Sequence, residues 1–112
     1  MKKETVEMIL KFRNDRNWKQ FHTPKDLSIS ISLEAAELLE VYQWSGTDLE
    51  CNNKISKVRE ELADILIYSV LLADAYNLDL DEIVQEKICV NSKKYPINKS
   101  FGNASKYTEF SE

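Results

Sequence analysis

Four carboxylates in two short stretches are the residues best placed to do chemistry. Glu34 and Glu37 stand three positions apart in SLEAAELLE, and Glu61 and Asp64 repeat that interval in EELADIL. Side chains three apart share one face of a helix. Two such pairs facing each other across neighbouring helices would set four carboxylates around one small volume. Hard divalent cations, Mg²⁺ above all, take oxygen ligands of this kind. Such pairs also occur on solvated helix faces, and Glu40 and Glu60 read as ordinary surface residues. Asp64 differs, because its neighbours are apolar and no Lys or Arg occurs between Leu62 and Ala75. An ionised carboxylate buried without a partner is costly, and a cation taken from solution removes that cost. Glu37 and Asp64 are therefore the expected indispensable ligands, closest to the apolar core.

Further along the chain, Lys87, Asn91 and Tyr95 recur at four-residue steps and form one polar helical stripe. A Lys meets phosphate as a point charge, and an amide or a phenol can donate to its oxygens. Tyr68 follows Asp64 by one turn, on the same side. Trp18 and Trp44 fall at helix–loop junctions, where a ring is free either to stack on a flat ligand or to plug a core. His22, the one histidine, falls in the loop after the first helix.

Four helices must carry these groups. Apolar residues at the helical period predict helices over about 3–17, 27–42 and 54–76. The last of these is apolar almost all round, the pattern of a buried helix. Asp79 with Glu82 three residues on predicts a capped fourth helix that Pro96 ends after residue 95. KQFHTPKD and WSGTDLECNN are the connecting loops, and residues 97–112 read as a polar tail, either mobile or strapped along a neighbouring subunit. The expectation is an all-α, four-helix, single domain over 1–112.

Bulk properties narrow the function. Two Gly and two Pro in 112 residues leave little turn material, which favours long helices over many strands. A chain this short buries a limited share of its surface, so completion of the helical layer by oligomerisation, as homodimer or homotetramer, is expected. The net charge of −4 argues against a nucleic-acid partner, which calls for a basic patch. It leaves room for a phosphate-bearing substrate bound through cations. Cys51 and Cys89 form no CxxC motif and fit a reducing cytoplasm. MKKETVEMILKF lacks the apolar core of a secretion signal, and no run is long enough to span a membrane.

The ordered set RNDRNWKQFHTPKDL, SLEAAELLEVYQW, EELADILIYSVLLA, KICVNSKKYP and, more weakly, SKYTEF resembles the MazG-like all-α nucleotide pyrophosphohydrolases. Within that superfamily it is most similar to the single-domain branch that includes the dCTP pyrophosphatases. The resemblance implies a MazG-like bundle that cleaves the α–β phosphoanhydride of (d)NTPs to monophosphate and pyrophosphate. It implies Glu34, Glu37, Glu61 and Asp64 as catalytic ligands of Mg²⁺, with Mn²⁺ as a substitute. Trp18 through His22 would hold the nucleotide, Trp44 and Tyr68 would line the base pocket, and Lys87, Asn91 and Tyr95 would face the phosphates. One departure bears on specificity: Ile9 stands nine residues before Trp18, where dCTP-preferring mammalian members carry His. The competing readings are a phosphoribosyl-ATP pyrophosphohydrolase and a non-catalytic helical oligomerisation module. A di-iron protein would want ExxH pairs, which are absent from both motifs.

Overall fold

The computed structural model describes residues 1–110, and among these every regular element is helical. Five α-helices follow in order: α1 (Lys3–Asp15), α2 (Pro24–Glu40), α3 (Ile55–Ala75), α4 (Leu80–Lys94) and the short α5 (Ile97–Ser100). Single 3₁₀ turns occupy Trp18–Phe21, Asn52–Lys54 and Tyr107–Glu109. Two compact units divide the chain, Met1–Leu78 and a second that begins at Asp79. No helix among the described residues is long and apolar enough to cross a membrane.

In the first unit, α2 starts three residues earlier than its apolar period predicts, because local chemistry fixes the start. Thr23 is the N-cap and its hydroxyl accepts from Asp26 N at 3.1 Å, while Pro24 fills the first helical position. That proline has no N–H to leave unsatisfied. The α3 C-terminus closes in a Schellman arrangement: Leu78 N bonds Ala73 O at 2.8 Å and Asn77 N bonds Asp74 O at 3.1 Å. Asn77 takes the left-handed backbone that this motif needs, at φ 55°.

The α2 and α3 helices pack against each other and run antiparallel, since Lys54 at the head of α3 reaches Val41 O beyond the tail of α2. Leu27, Val41, Cys51, Val70, Leu71 and Ala73 make the buried core. Contrary to its all-round apolar sequence, α3 is not enclosed: Leu62 and Leu66 remain nearly half exposed. One chain supplies partners for only part of the circumference of α3. The α2 helix likewise leaves Ile29, Leu33 and Leu39 exposed.

In the second unit, Asp79 caps α4 through Glu82 N at 2.9 Å, as the sequence predicts. Residues 97–110 are not a featureless tail. Tyr107 and Phe110 each set a ring edge-on to Tyr95, with centroids 5.8 Å apart in both pairs. Residues 111 and 112, the end of the expected tail, lie outside the described residues.

Candidate active site

Antiparallel packing of α2 on α3 brings the two carboxylate motifs together. Oxygens of Glu34, Glu61 and Asp64 lie within 4.8 Å of one another. Glu37 joins them, its carboxyl within hydrogen-bonding reach of both Glu34 and Glu61. The burial order differs from the expected one. Glu61 is the enclosed member at 2% exposure, Asp64 and Glu34 are half-buried, and Glu37 is exposed. Ala63, Leu66 and Ile67 line an open cavity together with Asp64 and do not enclose it, so apolar neighbours in the sequence did not mean burial.

Glu61 also has a cation that the sequence reading passed over. Lys57, one turn earlier, places Nζ 2.7 Å from Glu61 Oε1. That bond, followed by hydrogen bonds from Glu34 and Glu37, holds the Glu61 carboxyl below its ordinary range. Glu34 is displaced the other way, to about 7, by burial first and then by its hydrogen bonds to Glu61 and Glu37 and the charges of Glu37 and Asp64. Crowded carboxylates cannot all ionise without compensation. Oε2 of Glu34 and Oε2 of Glu61 are both sealed from solvent with no hydrogen-bond partner. Two orphaned carboxyl oxygens in an all-oxygen cluster fit a hard divalent cation, since a bound cation would satisfy both and favour the ionised forms.

A cavity of about 540 Å³ is shared between α1, the Trp18–Phe21 turn and α3. Phe12, Trp18 and His22 line one side, and Asp64, Tyr68 and Leu71 line the other. Trp18 packs edge-on between Phe12 (5.8 Å) and His22 (6.4 Å), and the Arg16 guanidinium lies 3.7 Å over the Phe12 ring. Asp64 thus belongs to both the carboxylate cluster and the cavity. The volume and the mostly apolar lining with a few polar groups suit a flat heteroaromatic ligand.

Trp18, His22 and Tyr68 therefore meet around one cavity. Trp44 does not line it; this side chain is 92% exposed, on a backbone at φ 67°. Lys87 and Asn91 are exposed on α4, and Tyr95 is engaged by Tyr107 and Phe110 within the second unit. Sequence reasoning missed Lys57 and Arg13. The first was legible as an i,i+4 partner of Glu61. The second is 5% exposed and lines the cavity, and nothing adjacent to it in the sequence marks it as buried.

Comparison with known proteins places this geometry in context. The pattern of the MazG-like family matches residues 29–110. The chain is similar to dCTP pyrophosphatase 1 of Bos taurus, 38% identical over 103 residues, which cover 88% of this chain and 61% of that protein. It is likewise similar to dCTP pyrophosphatase 1 of Homo sapiens, 36% identical over 104 residues, with the same coverage. The chain thus spans 61% of the length of these curated relatives. Among solved structures, a pyrophosphatase from Archaeoglobus fulgidus DSM 4304 superposes with a TM-score of 0.78 at 41% identity, covering 83% of this chain and 90% of that one. A family pattern matched over 29–110, on an all-α fold with a carboxylate cluster between two of its helices, identifies the chain as a member of the MazG-like family.

Proposed function

We propose that this chain is a Mg²⁺-dependent nucleoside triphosphate pyrophosphohydrolase that releases a monophosphate and pyrophosphate. The observation that carries the reading is the double membership of Asp64, which joins the carboxylate cluster to the apolar cavity. A triphosphate tail at the cluster and a base in the cavity would set the α–β bond near the junction. The similarity to the bovine and human proteins named dCTP pyrophosphatase 1 supports the same reaction.

Glu34, Glu37, Glu61 and Asp64 would hold Mg²⁺, or Mn²⁺ in its place, which when bound offsets phosphate charge as the anhydride breaks. The chain's own residues do the rest. Glu61, braced by Lys57 at Oε1, leaves its buried Oε2 available to the cation. Glu34 or Glu61 orients the attacking water. Trp18, His22 and Tyr68 grip the base, and the Phe12–Arg16–Trp18 stack keeps the wall rigid. Lys87, Asn91 and Tyr95 are assigned to the phosphates, and Trp44, which lies outside the cavity of its own chain, to the base across a subunit boundary. Positioning and charge neutralisation supply most of the rate in such reactions.

The exposed apolar side chains of α2 and α3 support a homodimer or homotetramer, and the two free cysteines suit a cytoplasmic setting. Residues 1–112 are assigned to one MazG-like domain.

The decisive experiment measures pyrophosphate release from a panel of dNTPs with Mg²⁺, after chelation, and after Mg²⁺ or Mn²⁺ is restored. Activity should vanish with the chelator and return with either metal. Full turnover without divalent metal overturns the reading, and so does the absence of turnover with any nucleotide.

A further inference from the structure

Arg13 is charged yet 5% exposed. Its Nη1 donates to Asp74 Oδ2 at 2.7 Å, and its Nε donates to Asn14 Oδ1 at 3.0 Å. Two bonds from one planar guanidinium fix its orientation as well as its place. Asp74 belongs to α3, the helix of Asp64 and Tyr68, so the ion pair ties α1 to the carboxylate-bearing helix. Arg13 and His22 line the same cavity. Nδ1 of His22 is sealed from solvent and has no hydrogen-bond partner, a state that a hydrogen-bonding ligand would relieve.

We propose that Arg13, anchored by Asp74, is a positioning residue for His22, fixing the wall from which Nδ1 meets a hydrogen-bonding edge of the nucleotide. The inference rests on the nucleotide reading above. Charge agrees with the geometry. Burial first, and the Arg13 guanidinium second, hold His22 below its ordinary value of 6.5, which keeps the ring neutral. Besides Arg13, the titratable residues sharing the cavity with His22 are Met1, which carries the α-amino group, and Asp64 and Tyr68 of α3. A neutral ring keeps one nitrogen as an acceptor, which an imidazolium cannot offer.

His22 is the chain's one histidine, so a single imidazole Cε1–H resonance reports it. The test titrates that resonance with dATP, dGTP, dCTP and dTTP, using Ca²⁺ in place of Mg²⁺, and follows hydrolysis with Mg²⁺ in parallel. At least one nucleotide should shift the wild-type resonance. Arg13→Met and Asp74→Asn should each raise KM roughly three- to tenfold, the worth of one hydrogen bond, with a smaller effect on kcat. Arg13→Met should also move the titration midpoint of His22 upward. Asp74→Asn keeps the shape of a side chain that is 30% exposed, so it carries the test if Arg13→Met does not fold. Wild-type KM with an unmoved resonance in a folded variant overturns the proposal. Hydrolysis that proceeds while no nucleotide shifts the wild-type resonance overturns it too, and leaves the enzyme reading standing. No hydrolysis of any dNTP removes the enzyme reading and this inference with it.

Discussion

Lys57 Nζ lies 2.7 Å from Oε1 of Glu61, the most enclosed carboxylate of the cluster, while Oε2 of the same group has no partner. Half of the compensation that Glu61 needs is thus built into α3, and under the proposed function a bound cation would supply the other half. Lys57→Met should lower the Tm of the metal-free protein by several degrees, because it strands a buried anion. Saturating Mg²⁺ should recover part of that loss. Thermal melts with chelator and with Mg²⁺ check this; equal losses in both would assign Lys57 to surface packing alone.

Glu34 and Asp64 should separate stability from activity. Burial and neighbouring carboxyls disfavour the charged form of Glu34, so Glu34→Gln, of the same shape and without charge, should melt at or above wild type in chelator at pH 8. Its hydrolysis should nonetheless fall about 10²-fold or more, as when one electrostatic group is removed from an active site. Asp64→Ala should lose a similar factor and, in addition, the stabilisation that Mg²⁺ gives. A folded Asp64→Ala protein with wild-type turnover and a full Mg²⁺-induced shift would remove Asp64 from the site.

Trp44 makes a testable contradiction between fold and function. A bulky L-residue at φ 67° costs about 1–2 kcal/mol relative to a conformation it prefers, and at 92% exposure it recovers little by packing. Trp44→Gly should be as stable as wild type in urea, or more stable by up to about 1 kcal/mol. KM for the nucleotide should rise. A variant that loses stability instead would show that the ring is structural.

His22 gives the chain a pH signature with a definite sign. Its folded-state value is lowered from 6.5 by burial and by Arg13, so the unfolded chain takes up the proton first as pH falls. The stability that neutral His22 contributes is complete above about 6.5 and is lost as pH falls below it toward the lowered folded value. Glu34, raised to about 7, runs in the opposite direction in part of this window, so the measurement must be a difference. The stability gap between wild type and His22→Gln should shrink between pH 7.5 and pH 5.5. A gap independent of pH would place His22 in contact with solvent.

Helix content was legible because the apolar period and the Asp79 and Pro96 signals act locally. The pairing of the two carboxylate motifs was legible too, since equal spacing on consecutive helices leaves few ways to avoid each other. Burial was not. Enclosure depends on what packs against each face, and the sequence around Asp64 carries no record that Glu61, one turn earlier, faces inward. Arg13 was hidden for the same reason, as its partner Asp74 lies sixty-one residues away. The start of α2 was missed because apolar periodicity ignores Thr23 and Pro24, whose capping chemistry sets the boundary.

Asp64 faces two compartments, and that has a thermodynamic consequence. A group common to two binding events makes each sensitive to the other, and linkage requires the sensitivity to be equal in both directions. Cation affinity measured with and without nucleotide should therefore change by the same factor as nucleotide affinity measured with and without cation. Asp64→Asn should reduce that shared factor more than any change confined to the far wall of the cavity. On the proposed function, Asp64 would work as a hinge in the energetic sense, letting the helical scaffold register whether both halves of a substrate complex are present.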